Sequence, residues 1–216
     1  MPTYKRDRVW HSVSWRKVYL CLTLSVCLGT ASACADSKVA APKTVSADSL
    51  VVSTEDVESI SNFRGFTQDG FVKKEQPATL DPNAPDVCKI IFDQTAVFGG
   101  GLKDFRSVVY SGTAGGYIKS INQITQSVGV YSDAEAARSA FDRLMPDMVK
   151  CSEAHIKNYE FTLTRPDSST IFLDSKYWKA AYRAKSTVLA TTSTVGFQHP
   201  ELVTQGVLDA ITDNVP

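Results

Sequence analysis

The residues of this chain best placed to do chemistry are its cysteines. Cys34 directly follows Ala31-Ser32-Ala33, and a cysteine exposed at the new N-terminus by signal cleavage is the acceptor that a bacterial lipoprotein acylates. Such signals normally carry Leu or another aliphatic residue three positions before the cysteine, where this chain has Ala31. Ordinary secretion and an uncleaved anchor therefore stand as alternatives. Cys88 and Cys151 are the other two cysteines outside the N-terminal apolar run. An even pair in an exported chain reads as a structural disulfide rather than a metal site or a catalytic thiol, with two unpaired buried thiols as the alternative.

Other reactive side chains carry less. Beyond the N-terminal segment the histidines are His155 and His199, with no zinc-type spacing. Their neighbourhood, one after a helix end and one before a helix start, is structural. No G-x-S-x-G accompanies them, so a hydrolase reading has no nucleophile elbow behind it. Gly99-Gly100-Gly101 and the glycines of Gly112–Gly116 lack a following Lys-Ser/Thr and fit no dinucleotide fingerprint, so they read as loops. Asp142 with Asp147 and Glu153 with Glu160 could serve glycan cleavage only at a separation that sequence does not give, and they read as surface charge. The expectation is no catalytic residue, no metal and no cofactor. The best binding candidate is the mixed aromatic and cationic run containing Tyr177, Trp178, Tyr182 and Arg183. An amphipathic strand pair packing its rings inward is nevertheless the favoured explanation of this run over a ligand platform.

The N-terminus sets the compartment. Lys5, Arg6, Arg8, Arg16 and Lys17 precede an unbroken apolar run, Val18 to Leu28, which includes Cys21 and Cys27. That run is shorter than the ~20 residues a membrane-spanning helix needs, so residues 1–33 read as a signal peptide. Of the chain's 23 Lys/Arg and 23 Asp/Glu, five and one lie in that segment, leaving a mature net charge of about −4. No basic face for a nucleic-acid partner is expected. The chain is expected at the cell membrane, lipid-anchored on its extracytoplasmic face, or else secreted. Residues 34–48 are polar and small and read as a tether, and residues 49–216 as one domain.

The elements that would position these residues can be read from patterning. Ser53 caps a short helix with Glu55 and Asp56 in its first turn. Ser132 and Glu135 form a capping box before an apolar stripe of Ala137, Ala140, Phe141, Leu144, Met145 and Met148, which predicts a helix running to Cys151 with a kink at Pro146. Strands are predicted over Lys89 to Phe92, Phe105 to Tyr110, Tyr117 to Tyr131, Tyr159 to Thr164, Thr170 to Leu173, Trp178 to Arg183 and Ser186 to Val195. The irregular spacing of Ile118, Ile121, Ile124 and Val128 predicts a bend or bulge in the third of these. Pro200 opens a terminal helix. Runs of adjacent strands with helices at both ends and in the middle give an α+β domain with an antiparallel sheet.

The order of these features resembles a family. Leu50 to Val57 (LVVSTEDV), Pro85-Asp86-Val87-Cys88, a strand ending Val130-Tyr131, and Ser132 to Phe141 followed by Cys151 resemble the extracellular sensor domain of the mycobacterial Ser/Thr kinase PknH and its free-standing lipoprotein relatives. The resemblance implies an α+β domain with a central antiparallel sheet and a large cleft that binds an unidentified extracytoplasmic ligand, and it does not imply catalysis. Family members commonly have a second disulfide nearer the C-terminus. Here the corresponding strands read Ala181-Tyr182-Arg183 and Thr194-Val195-Gly196, so the cleft wall must be held by other contacts. A lipid-anchored, sensor-like binding protein for a small-molecule or envelope ligand is the leading expectation, with membrane contact through the lipid. An envelope hydrolase and a structural lipoprotein with a protein partner are the alternatives.

Overall fold

The computed structural model describes residues 45–67, 72–117 and 119–216. The signal segment and Cys34 lie outside them. Seven strands among the described residues form one sheet: β1 (Val72–Lys74), β2 (Leu102–Ala114), β3 (Ser120–Tyr131), β4 (Thr162–Asp167), β5 (Thr170–Asp174), β6 (Trp178–Lys185) and β7 (Val188–Val195). Their spatial order is β1-β2-β3-β7-β6-β5-β4 and every pairing is antiparallel. The α+β class expected from sequence is what the chain adopts.

Helices cover both faces. On one side lie α3 (Lys89–Phe92), α4 (Gln94–Phe98), α5 (Ala134–Asp142) and α6 (Leu144–Glu153), packed through Phe98, Phe141, Leu144 and Met148 onto Phe105, Ile171 and Leu189. On the other lie α1 (Ala47–Leu50), α2 (Thr54–Ser61) and α7 (Pro200–Asp213), packed through Val57, Leu208 and Ile211 onto Ile124, Val128 and Ala190. Successive residues of a strand point to opposite faces. Ile171 and Leu173 accordingly enter one core while Phe172 enters the other.

This double burial accounts for the irregular spacing in β3. It pairs with β7 without a shift, and the irregularity in its ladder with β2 is an extra residue on β2, between Leu102 and Asp104. Over most of its length β3 is covered on both faces and need not alternate apolar with polar, so the irregular spacing carries no bulge in this strand; its first residues, Ser120 and Ile121, are exposed.

Other expectations are corrected locally. Residues 89–92 form a helix, not a strand: a 3-10 turn at Asp86–Cys88 leads into α3 and Asp93 then caps α4, accepting from the Thr95 amide at 2.8 Å. A four-residue apolar run fits either state, and the flanking caps decide. The cap of α5 is Asp133, whose carboxylate accepts from the Ala136 amide at 2.8 Å, while Ser132 donates to that carboxylate. The expected single helix breaks at Arg143, and Pro146 sits in the first turn of α6, where its missing N–H costs no hydrogen bond. Arg143 turns back to donate to the carbonyls of Ala96 and Val97, satisfying the C-terminal end of α4. The domain also starts earlier than residue 49. Ala47 is fully buried, its amide and the Ser46 hydroxyl both donate to Asp104, and Asp48 pairs with Lys73 and Arg106, so these residues belong to the fold rather than to a tether.

Cys88 and Cys151 are bonded to each other and buried, joining the 3-10 turn to α6. Where the family resemblance implied a second disulfide, polar contacts hold α7 to the sheet. The Arg183 guanidinium reaches Asp209 and Thr212, and the Thr194 and Thr204 hydroxyls lie 2.7 Å apart.

Candidate functional site

The helices on the α3–α6 side cover only part of their face. Toward the strand ends carrying Gln123, Val195 and Trp178 the sheet is left as the floor of a cleft of about 340 Å³. Register places the floor residues. Val109 pairs with Thr125, Thr125 with Ser193 and Ser193 with Ala180, and Gln123 with Val195 and Val195 with Trp178 in the next row. The wall is Thr79, Leu80, Ile91 and Phe92, from the segment that the disulfide ties to α6. That segment is held against the sheet by Gln94, whose amide group accepts from the Ala78 N–H and donates to the hydroxyls of Ser107 and Ser127 at 2.8 Å each. At the β1 edge, Lys74 completes the lining.

The cleft is apolar with a few unengaged polar groups. Trp178 stands at its far side, edge-on to Phe92 with ring centroids 5.5 Å apart and tilted against Phe161. Thr125 is only 6% exposed, yet its hydroxyl has no hydrogen-bond partner among the described residues, and the side chains of Gln123 and Ser193 beside it have none either. Lys74 has no ion-pair partner among the described residues. No carboxylate, histidine or cysteine lines this cleft among the described residues, and no cluster of His, Cys, Asp or Glu there could hold a metal.

The aromatic run singled out from sequence is not one surface. Trp178 lines the cleft, whereas Tyr177, just before β6, is not part of its lining and is 60% exposed with the Lys176 ammonium over its ring. Tyr182 is inside the core, where burial pushes its phenol pKa up, and Arg183 faces the opposite side of the sheet, bound to Asp209 on α7. Strand alternation separates Trp178 and Tyr182 from Arg183 by construction. Thr125, Ser193, Gln123 and Lys74 were missed because they meet only through strand register.

The buried Tyr110 and Tyr131 phenols have structural partners, the first donating to the Val52 carbonyl. The Tyr131 hydroxyl donates to the Phe98 carbonyl at 2.6 Å, and burial raises its pKa to about 12, against the opposing pull of the Arg143 guanidinium. No helix among the described residues is long and apolar enough to cross a membrane.

Comparison with known proteins places this architecture. The sequence matches the PknH-like extracellular domain family over residues 44–214. The crystal structure of the extracellular domain of PknH from Mycobacterium tuberculosis superposes with a TM-score of 0.57 at 15% identity, covering 78% of this chain and 93% of that one. At that identity the likeness is one of fold. No curated protein matches the sequence.

Proposed function

Because this chain belongs to the PknH-like extracellular domain family, we propose that it is an extracytoplasmic, sensor-like binding domain whose cleft over β2, β3, β7 and β6 takes a ligand and performs no chemistry on it. The observation that carries this is Thr125. Thr125 is a nearly buried residue, and the polar groups of such residues normally find partners within the fold. Here the hydroxyl opens into a concave floor beside two further unpaired polar side chains, Gln123 and Ser193. A small number of placed polar groups in an apolar lining is the composition of a ligand site. The sequence context of Cys34 supports a lipid anchor that holds the domain at the membrane.

Native mass spectrometry of the protein purified from its own envelope tests the cleft. The expected result is a reproducible extra mass that is absent from Ser193→Trp, which fills the cleft from its floor, and weakened in Thr125→Val, which keeps the shape and removes the hydroxyl. Melting temperatures of both variants verify that they fold. A clean apo mass, or a bound mass that survives in a folded Ser193→Trp, refutes the reading. For the anchor, Cys34→Ala is expected to move the protein from the membrane fraction to the soluble one.

A further inference from the structure

We infer that the cleft is built for a single-chain amphiphile with an anionic head, the head seated at Lys74 and the tail laid over the floor toward Trp178 and Phe92. This rests on the cleft being a ligand site, as proposed above.

The lining is graded from one side to the other. Lys74 lies on β1 at one edge of the sheet and Trp178 lies on β6, with β2, β3 and β7 between them. Four strand spacings of ~4.8 Å put roughly 19 Å between the two strands. The cationic end has no acidic partner among the described residues, and the aromatic end presents the Trp178 and Phe92 rings. Seven of the twelve lining residues are apolar. The same face continues outward from the cleft into exposed apolar side chains, with Ile121 61%, Val72 45% and Val195 40% accessible. Exposed apolar surface contiguous with a pocket marks a site for an apolar ligand. A lone unpaired cation at one end then selects the sign of the ligand's charge.

The alternatives fit less well. An extended peptide binds by adding to a free strand edge, but the floor strands β3, β7 and β6 are paired on both sides, so their backbone groups are already used. A sugar would need a hydrogen-bonding lining, and five polar side chains against seven apolar ones do not supply it. The unpaired hydroxyls of Thr125 and Ser193 and the amide of Gln123 lie between the two ends, where a polar group following an amphiphile's head would sit.

The chain supplies its own reporter. Its three tryptophans are Trp10, Trp15 and Trp178, so the compact unit Lys43–Pro216 holds only the one in the cleft. Titrating that unit with dodecanoate, monolaurin and dodecylamine, each below its self-association concentration, compares one tail under three head charges. The expected result is a saturable change of Trp178 emission with dodecanoate, at least tenfold weaker binding of monolaurin, and weaker still of dodecylamine. Lys74→Gln is expected to cost dodecanoate about tenfold while leaving monolaurin unchanged, with an unaltered melting temperature. Equal binding of dodecanoate and monolaurin, or no effect of Lys74→Gln, overturns the anionic head and leaves the cleft as a ligand site. No response to any of the three, with a bound mass still present on protein from the envelope, overturns the amphiphile alone. No response together with a clean apo mass overturns both.

Discussion

Removing the disulfide, as Cys88→Ala with Cys151→Ala, is expected to lower the unfolding free energy by about 4 kcal/mol. The magnitude follows from the loop it closes. With a sequence separation of 63 between the bonded positions, the chain-entropy relation gives about 14 cal/mol/K of denatured-state entropy withheld by the bond, or about 4 kcal/mol at 25 °C. Urea denaturation followed by circular dichroism measures it. The urea m-value should rise in the double variant, because an unlinked denatured chain exposes more surface than a linked one. Both sulfurs are buried between the 3-10 turn and α6, so two alanines leave a small void that adds to the loss. The cleft wall makes the effect local as well as global: Ile91 and Phe92 lie three and four residues after Cys88, and hydrogen exchange of residues 86–98 should accelerate ahead of the sheet. A loss below about 1 kcal/mol with an unchanged m-value would show that the unlinked chain stays compact, and the loop argument would be wrong.

Two further outcomes follow from the packing. Gly129→Ala places a Cβ 2.6 Å from the Phe98 ring and 2.8 Å from Leu102, both held by the core, so it should destabilise by about 1–3 kcal/mol through overpacking; a melting temperature within error of the parent refutes this. At alkaline pH the buried Tyr131 phenol, pushed up to about 12 by burial, stays neutral in the fold while the unfolded chain ionises near pH ~10. Its contribution is complete below pH ~10 and is lost as pH rises through about 12, so the urea midpoint should fall across that window. Tyr131→Phe should lower stability by about 1 kcal/mol at neutral pH, through the lost hydrogen bond to Phe98, and flatten the alkaline fall. The two proteins having the same alkaline slope would sink that assignment.

What patterning could reveal was decided by range. Val188 to Val195 and Trp178 to Lys185 are rich in residues that favour strands, and Pro200 with Val203, Val207 and Ile211 announces α7 without tertiary information. The paired cysteines were legible for a different reason, since an exported chain leaves few other uses for them. The cleft was not legible. Val109, Thr125, Ser193 and Ala180 are far apart in sequence and adjacent only because four strands share a register. β1 has three residues, too few to carry a period, and it exists because β2 offers it an edge. Without β1, Lys74 has no place. The aromatic run shows the opposite failure: Tyr182 and Arg183 are neighbours in sequence, and adjacency in a strand means opposite faces.

One consequence of the early start of the domain concerns β1. Lys73 and Lys74 are consecutive on this short edge strand and point to opposite faces, Lys74 into the cleft and Lys73 to Asp48 of α1 at 2.6 Å. Glu75, the next residue, pairs with Arg106, which also reaches Asp48. The segment by which the polypeptide enters its fold therefore grips the same strand that offers the cleft its cation. Linkage runs in both directions between such sites: whatever repositions β1 when the cleft fills changes the hold on residues 46–48 by an equal free energy. Occupancy of the cleft and the hold on the first residues of the fold are thus two readings of one equilibrium.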